Sequence, residues 1–373
     1  MKKNLMALAV ALLVGITGCG NNNSANTDNA ESTESVDTVE TVENVETPEE
    51  NVEEASTEEK NDEDQSESGE NKELRKVTFV LDWTPNTNHT GLYVAQEKGY
   101  YAEKGLDVEI VQPPEDGATA LVASGKAQFA ISAQDSMANV LGGDAAMPIT
   151  AIGAIIQHNT SGIISRADEG LDRPKGLEGK RYSTWNLPVE INTIKQVMEE
   201  DGGNFDKLTL IPAAPIDEVA ALREEQTDAI WVFEGWGKVS AEVQDYPVDY
   251  WNFADIDDTF DFYTPVIIAG NDLIENDKEL VKDFMEATRM GYEFAIENPK
   301  ESADILLAAD DALDSDLVYA SQEFLSTKYK DDADKWGVID PERWSRYYNW
   351  LNENGLVDTE LDINSGYTNE FVE

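Results

Sequence analysis

Five aromatic side chains lie near or just after the ends of predicted strands, at the points where an α/β sheet would present them to a ligand. Open α/β sheets bind ligands beyond the carboxyl ends of their strands, and stacked flat rings gain about 0.5–1.5 kcal/mol beyond the burial of apolar area. Trp83 and Trp185 lie beside turn residues, which favours a role in a site. Trp231 and Phe233 flank Val232, so their face of the strand could equally be buried in the core. The five aromatic candidates are Trp83, Trp185, Trp231, Phe233 and Trp236.

The loop that contains Trp83 also carries polar side chains. Asn86, Asn88 and His89 follow it within the same turn-rich segment. Asparagine often forms turns by bonding to nearby backbone groups, and one of the two asparagines is expected to do only that. Asn88 and His89 are candidates to contact a ligand or to hold the site, and the choice of these two rests on the family resemblance described below.

A second group of polar candidates lies near other predicted strand ends. Glu190 stands at the start of a predicted helix, where it could simply interact with the helix dipole, and Tyr182 lies shortly before it. Gln134 and Asp135 follow a predicted strand, although Asp135 could equally cap the next helix. Glu234 stands among the aromatic candidates and would add hydrogen-bond acceptor capacity there.

Composition excludes several classes of function. The chain has 76 acidic and 27 basic residues and a formal net charge of −49, a field that repels the phosphate backbone of nucleic acids. One cysteine and two histidines allow neither an internal disulfide nor a thiolate metal cluster. No HExxH, Walker A or GxGxxG motif occurs, so we expect no metal and no cofactor. The remaining acidic cluster lacks the glycine and terminal glutamate of an EF-hand loop and is interpreted as a solvated turn: Asp255, Asp257, Asp258 and Asp261.

The distribution of arginine bears on the charge of the ligand. No arginine lies between Arg75 and Arg166, where the ligand loops of the first lobe are expected. Sulfonate, nitrate or phosphate would favour arginine side chains or helix N-termini. Helix N-termini remain available, so anionic ligands are disfavoured but not excluded.

The first 73 residues are predicted to form a targeting signal followed by a tether. Lys2 and Lys3 precede an apolar stretch that is too short to span a bilayer, and small residues then lead to Cys19. This arrangement resembles the lipobox of bacterial lipoproteins, in which the cysteine is lipidated; the alternative is an ordinary secretion signal with an incidental cysteine. Residues 20–73 contain no aromatic residue and are predicted to be a disordered acidic tether. We therefore expect a signal peptide at 1–19 and a lipid anchor on the extracytoplasmic face of the cell membrane.

Residues 74–373 are predicted to fold as an α/β domain. Strands and helices alternate until about residue 269, which predicts parallel sheets, and the pattern after residue 277 is helical. We expect one lobe at about 75–165 plus 265–373 and another at about 166–264, with a ligand cleft between them. The predicted strands are 77–81, 107–111, 129–132, 149–156, 180–182, 208–212, 229–233 and 264–269. The predicted helices are 91–104, 135–141, 189–200, 217–225, 277–296, 299–309, 315–328 and 341–354.

Three segments resemble a known protein family. The sequence LDWTPNTNHTGLYVA at 81–95 resembles the start of bacterial proteins that bind thiamin pyrimidine precursors. The sequences EKGYYAEKGLDV at 97–108 and SGKAQFAIS at 124–132 fit the wider superfamily that binds nitrate, sulfonates and pyrimidines. The first segment is the specific one, and the resemblance covers roughly residues 75–355.

The resemblance implies both a fold and a function. The fold would be a type II-like, two-lobed periplasmic-binding-protein fold that closes on its ligand about a hinge. The chain would be a monomeric solute-binding component of an ABC importer, which docks on a membrane permease and binds formylaminopyrimidine or hydroxymethylpyrimidine. In the family a glutamate after the position of Pro188 reads the aminopyrimidine edge, which assigns that role to Glu190. A carboxylate can accept from the amine and from a protonated ring nitrogen at once, through charge-assisted bonds.

Other functions remain as alternatives. Another flat heterocycle such as riboflavin, or a sulfonate or nitrate, could be the ligand. Fungal pyrimidine synthases share the superfamily fold, and they carry a cysteine-rich motif and a lysine that holds pyridoxal phosphate. Here Cys19 is the only cysteine and no lysine lies in the segment 81–95, so we expect a binding protein rather than an enzyme.

Overall fold

The computed structural model describes residues 73–114, 117–144, 146–213, 215 and 217–372, which form two α/β lobes. The expected signal peptide, Cys19 and the tether up to residue 72 lie outside these residues. The sheet of the first lobe has the strand order β2-β1-β3-β10-β4. Its strands are β1 Arg75–Val80, β2 Leu106–Val111, β3 Phe129–Ser132, β4 Ile149–Ala154 and β10 Val266–Gly270.

The sheet of the second lobe has the order β7-β6-β8-β5-β9. The chain enters it through residues 155–160 and leaves it through residues 253–265. β5 and β9 were not predicted, and β5 brings the first crossing one strand earlier than the expected boundary near residue 165. The strands are β5 Ser161–Arg166, β6 Arg181–Thr184, β7 Thr209–Pro212, β8 Ala229–Phe233 and β9 Val248–Asn252.

The two sheets are mixed, so the prediction of parallel sheets is wrong in part. β1 is parallel to β2 and β3, but β10 is antiparallel to β3 and β4. In the second sheet β6 is parallel to β7 and β8, whereas β5 is antiparallel to β8 and β9. The alternation of strands and helices predicts a parallel pair only where a helix joins the two strands. β5 and β10 instead enter their sheets from the crossing segments.

Twelve α-helices flank these sheets in the described residues, and none of them has both the length and the apolar composition that crossing a membrane requires. The single helix expected at 91–104 is two helices, because Gly99 adopts a left-handed conformation with φ of 76°. The helices are α1 Thr90–Glu97, α2 Tyr100–Glu103, α3 Ala118–Ala123, α4 Gln134–Leu141, α5 Pro188–Glu200, α6 Glu218–Arg223, α7 Val239–Val243, α8 Asn271–Asn276, α9 Lys278–Glu297, α10 Pro299–Ala309, α11 Ser315–Ser326 and α12 Pro341–Glu353.

Close packing of α1 on α9 fixes the loop that precedes α1. A Cβ atom on Gly291 would lie 2.0 Å from the carbonyl oxygen of Gly91, so only glycine allows this approach. The neighbouring Tyr292 is fully buried, and its hydroxyl donates to the carbonyl oxygen of Asn88 at 2.7 Å. The loop between β1 and α1 is thereby tied to the helical layer of its lobe.

The two crossing segments are clamped together by an ionic cluster. His158, on the first segment, contacts Asp261 on the second, with 2.7 Å between Nδ1 and Oδ2. Its Nε2 lies 3.1 Å from Oδ1 of Asp332, and Arg343 Nε lies 3.1 Å from Asp261 Oδ2. Hydrogen bonding to Asp261 raises the pKa of His158, although partial burial opposes the shift. Asp261 therefore serves the joint between the lobes.

Candidate ligand-binding site

A cavity of about 390 Å³ lies between the lobes. The first lobe contributes the loop after β1, and the second contributes the loops after β6, β7 and β8. Strand ends from both sheets thus face the cavity, as expected for ligand sites of α/β proteins. All five aromatic candidates line it, namely Trp83, Trp185, Trp231, Phe233 and Trp236.

The aromatic wall of the second lobe combines exposed rings with a buried support. Trp185 and Phe233 are 46% and 42% exposed, as expected for rings that can receive a ligand. The Trp231 ring lies 5.9 Å from that of Trp185 and 4.0 Å from that of Phe253, measured between centroids. Because Phe253 is fully buried, Trp231 belongs to the cavity wall and to the core at once, so both readings of its sequence pattern apply.

The loop after β1 is built around His89. Asn86 caps a single 3-10 turn at 87–89, because its side-chain oxygen accepts from the Asn88 backbone N–H at 2.9 Å. The His89 ring is fully buried and does not line the cavity. Its Nδ1 accepts from the Asn86 N–H at 3.2 Å, and its Nε2 lies 2.8 Å from Oδ1 of Asp82. His89 therefore links Asn86 to Asp82 within the loop, while Asn88 and Asp82 line the cavity.

Glu190 occupies a different position from the one expected for a group that reads the ligand. It is only 2% exposed and does not line the cavity. Its carboxylate accepts from the Tyr182 hydroxyl at 2.7 Å, the Thr184 hydroxyl at 2.9 Å and the backbone N–H groups of Trp185 at 3.2 Å and Leu187 at 3.3 Å. These four donors occupy the acceptor sites of both oxygens. Glu190 thus organises the loop that carries Trp185.

Tyr182 belongs to the same buried group as Glu190. Burial and the nearby Glu190 carboxylate raise the pKa of Tyr182 far above its ordinary value, which keeps the phenol protonated as a donor. Ser183, the next residue of β6, lines the cavity instead. Side chains alternate between the two faces of a strand, so Tyr182 and Thr184 point away from the cavity that Ser183 faces.

The other polar candidates also lie outside the cavity wall. Gln134 is buried, with its Nε2 donating to the Trp344 carbonyl oxygen at 2.8 Å and its Oε1 accepting from the Tyr263 N–H at 3.0 Å. Asp135 is not the helix cap, because α4 begins at Gln134 after Ala133; burial raises the pKa of its carboxyl group.

Glu234 begins the π-helical turn at 234–238 that follows β8. Its carboxylate pairs with Lys238, with 2.9 Å between Oε1 and Nζ, and does not line the cavity. Lys238, in the same lobe, thus uses part of the acceptor capacity that the sequence suggested for a ligand.

The charged side chains on the described cavity wall are both acidic. Asp82 comes from the first lobe and Glu218, the first residue of α6, from the second, and no lysine, arginine or histidine joins them on that described wall. Burial raises the pKa of Glu218. Sequence reasoning selected neither residue, although Asp82 lies directly between the end of a predicted strand and Trp83, which was a usable signal.

Comparison with known proteins identifies a matching family and several related proteins. The family model described as "NMT1/THI5 like" matches residues 86–302, more than half of the chain. The formylaminopyrimidine-binding protein of Halalkalibacterium halodurans is 28% identical over 302 residues, which cover 78% of this chain and 88% of the relative. A 4-amino-5-hydroxymethyl-2-methylpyrimidine phosphate synthase of Saccharomyces cerevisiae is 24% identical over 327 residues, covering 80% and 88%.

Among solved structures, the alkanesulfonate-binding protein SsuA from Xanthomonas axonopodis pv. citri superimposes with a TM-score of 0.59 at 12% identity. The match covers 79% of this chain and 99% of that protein. The prediction of a two-lobed periplasmic-binding-protein fold is thereby confirmed.

Proposed function

This chain belongs to the NMT1/THI5-like family, and on that premise we propose that it is the extracytoplasmic solute-binding component of an ABC importer for an aminopyrimidine precursor of thiamin. The observation that carries the proposal is the cavity itself, which combines a wall of aromatic rings with carboxylate acceptors and lies between the two lobes. A flat ring that bears an amine needs aromatic surfaces for its faces and acceptors for its edge. The formylaminopyrimidine-binding relative supports the same ligand class.

An anionic ligand fits this cavity less well. The structural neighbour SsuA is named for alkanesulfonates, and a sulfonate would need arginine forks or helix N-termini. Here the charged groups of the described cavity wall are Asp82 and Glu218. Two carboxylates would repel a sulfonate, and an amine would be attracted to them.

Catalysis is the second candidate, because relatives in yeast are named as pyrimidine phosphate synthases. The sequence carries a single cysteine, Cys19, where those synthases are expected to carry a cysteine-rich motif. Residues 81–95 contain no lysine, and none lines the described cavity. These features support binding without turnover.

The proposed location at the membrane, next to a permease, rests on the sequence of the N-terminus. A signal peptide at 1–19 and lipidation of Cys19 would hold the chain at the outer face of the cell membrane, close to its permease. Two or more acyl chains give stable anchoring, since each buried CH₂ contributes about 0.8 kcal/mol. We expect a monomer, which leaves the lobes free to dock on the permease.

Calorimetric titration of the full-length chain in detergent tests the function. The panel consists of formylaminopyrimidine, hydroxymethylpyrimidine, thiamin, riboflavin and taurine. We expect submicromolar binding of an aminopyrimidine, and mass spectrometry should recover that ligand unchanged. Binding of riboflavin or taurine alone would retain a role in transport and refute the pyrimidine assignment, and recovery of a converted product would indicate an enzyme.

A further inference from the structure

Two carboxylates line the described cavity, those of Asp82 and Glu218, and in the described residues only Asp82 is held by another side chain. Its side chain is 38% exposed and lines the cavity. Oδ1 contacts His89, and within the described part of the chain no donor reaches Oδ2. Glu190 has four internal donors, and Glu234 is paired with Lys238. Asp82 therefore keeps acceptor capacity that points to a ligand.

His89 orients Asp82 without neutralising its charge. Nδ1 of His89 accepts from the Asn86 backbone N–H, so the ring proton resides on Nε2, which donates to Asp82. A ring with one donor and one acceptor nitrogen is the neutral form. The negative charge of Asp82 is thus not paired with a cation through His89, and it remains available for a charge-assisted bond.

The helical layer of the first lobe fixes the loop that carries Asp82, on the side away from the cavity. His89 is fully buried, and the hydroxyls of Tyr292 and Tyr329 donate to the carbonyl oxygens of Asn88 at 2.7 Å and Thr87 at 2.6 Å. An acceptor held before the ligand arrives loses little conformational entropy on binding. The loop therefore presents a preorganised carboxylate next to the exposed ring of Trp83.

We propose that Asp82 is the residue that selects the ligand, by accepting hydrogen bonds from an amine and an adjacent protonated ring nitrogen, and that His89 is its positioning residue. The proposal rests on the proposed function, since it assigns the donor edge of the aminopyrimidine to Asp82. The ligand class is a flat heterocycle with two neighbouring N–H donors. A ring with a carbonyl group in place of the amine would set an acceptor against the carboxylate and bind weakly.

The test compares two ligands on matched variants of the full-length chain. The ligands are 4-amino-5-hydroxymethyl-2-methylpyrimidine and its 4-oxo analogue, titrated by calorimetry. We expect Asp82→Asn to weaken binding of the amine more than tenfold and to leave the oxo analogue within about threefold, since an asparagine amide can donate to a carbonyl. Asp107→Asn, an exposed change on β2 of the same lobe, should alter neither affinity.

A pair of His89 variants tests the positioning role. His89→Ala should reduce the ratio of the two affinities, and His89→Gln should restore part of it, because glutamine can accept from Asn86 and donate to Asp82. A purely structural role would lower the affinity for both ligands equally and leave their ratio unchanged. Thermal unfolding of each variant checks that the domain remains folded.

The outcomes separate this proposal from the proposed function. If the wild type binds neither pyrimidine, the proposed function fails. If the wild type prefers the amine and Asp82→Asn retains that preference, only the role of Asp82 is refuted. Should Asp82→Asn not fold, a crystal structure of the wild-type complex decides. The amine nitrogen should lie within about 2.7–3.2 Å of an Asp82 oxygen, and an amine bound elsewhere would overturn the proposal.

Discussion

Each lobe contributes to the cavity a loop that is associated with a carboxylate, and the two carboxylates have opposite positions. In the first lobe the acid, Asp82, faces the cavity and a buried histidine supports it. In the second lobe the acid that follows the loop after β6, Glu190, is buried and supports that loop, whose tryptophan, Trp185, faces the cavity. Both loops follow a strand and carry an exposed tryptophan. From the sequence alone, the two loops would therefore be assigned the same function.

The difference lies in the number of internal donors that surround each carboxylate. A buried carboxylate is stable only when hydrogen bonds replace its hydration, and Glu190 has four. Asp82 has one side-chain donor in the described structure, and solvent access supplies the rest of its hydration. Of Asp82 and Glu190, the acid that remains partly solvated is the one that lines the cavity.

The largest expected effect is on the stability of the second lobe. Glu190→Gln replaces one acceptor oxygen by an amide donor among four donors, and buried groups left without a partner cost about 1–3 kcal/mol each. We expect the free energy of unfolding to fall by about 3 kcal/mol, as measured by urea denaturation. Glu199→Gln, an exposed change on the same helix, should cost less than about 0.5 kcal/mol. Unchanged stability with loss of ligand binding would instead return Glu190 to the role of reading the ligand.

The next effect concerns the aromatic wall that Glu190 supports. Trp185→Ala removes a ring that is 46% exposed on the cavity wall, so ligand affinity should fall at least tenfold, or about 1.4 kcal/mol, in calorimetric titration. The unfolding free energy should change less than it does in Glu190→Gln. Tyr319→Ala, which removes an exposed ring of α11 outside the cavity, is the control and should leave the affinity unchanged. Equal binding by wild type and Trp185→Ala would refute stacking at this position.

A smaller effect is expected where the lobes meet beside the cavity. Ser321 of α11 donates to the Gly235 carbonyl oxygen, and Thr87 and Ser321 share a hydrogen bond of 2.6 Å. A Cβ atom on Gly235 would lie 2.9 Å from Cδ2 of Leu325. Gly235→Ala should therefore disfavour this arrangement of the lobes and weaken binding about fivefold, by a penalty of about 1 kcal/mol.

The compensating change tests the cause of that loss. Leu325→Val in the Gly235→Ala background removes Cδ2, the nearest of the atoms that crowd this Cβ position, and a double-mutant cycle should show that the two substitutions are not additive. Additive losses would mean that the contact does not govern the approach of the lobes.

The smallest expected effect is a pH dependence at the ionic cluster that joins the two crossing segments. The hydrogen bond to Asp261 raises the pKa of His158 in the folded state, with Asp332 also acting to raise it and Arg343 opposing. Its contribution to stability is therefore complete below the unfolded pKa of about 6.5 and is lost as pH rises through the higher folded pKa. We expect a loss below about 1 kcal/mol for this partly exposed group, seen in urea denaturation between pH 6 and 9. His158→Gln should flatten that slope, and an unchanged slope would assign the dependence to other groups.

Much of this arrangement could be predicted from the sequence, because the aromatic candidates and the main strands leave local signals. The predicted strands at 129–132 and 229–233 coincide with β3 and β8, since both are short apolar runs. β9 escaped prediction because Val248–Asn252 is a half-buried edge strand with mixed polarity. α3 has six residues, too few for a helical period to show.

The sequence by itself determined that aromatic and acidic residues follow the strands of a two-lobed α/β fold. Which acid faces the ligand was decided only by the tertiary structure. Ser183 and Tyr182 are neighbours on β6, yet the pleat sends one to the cavity and the other to Glu190. Side chains of α5 lie in the same core cluster as Tyr182, where Glu190 meets donors three to eight residues before it in the chain, and α9 holds the loop of Asp82 at the cavity wall through Tyr292. A side chain's direction depends on which face its neighbours cover, and only packing between distant segments decides that.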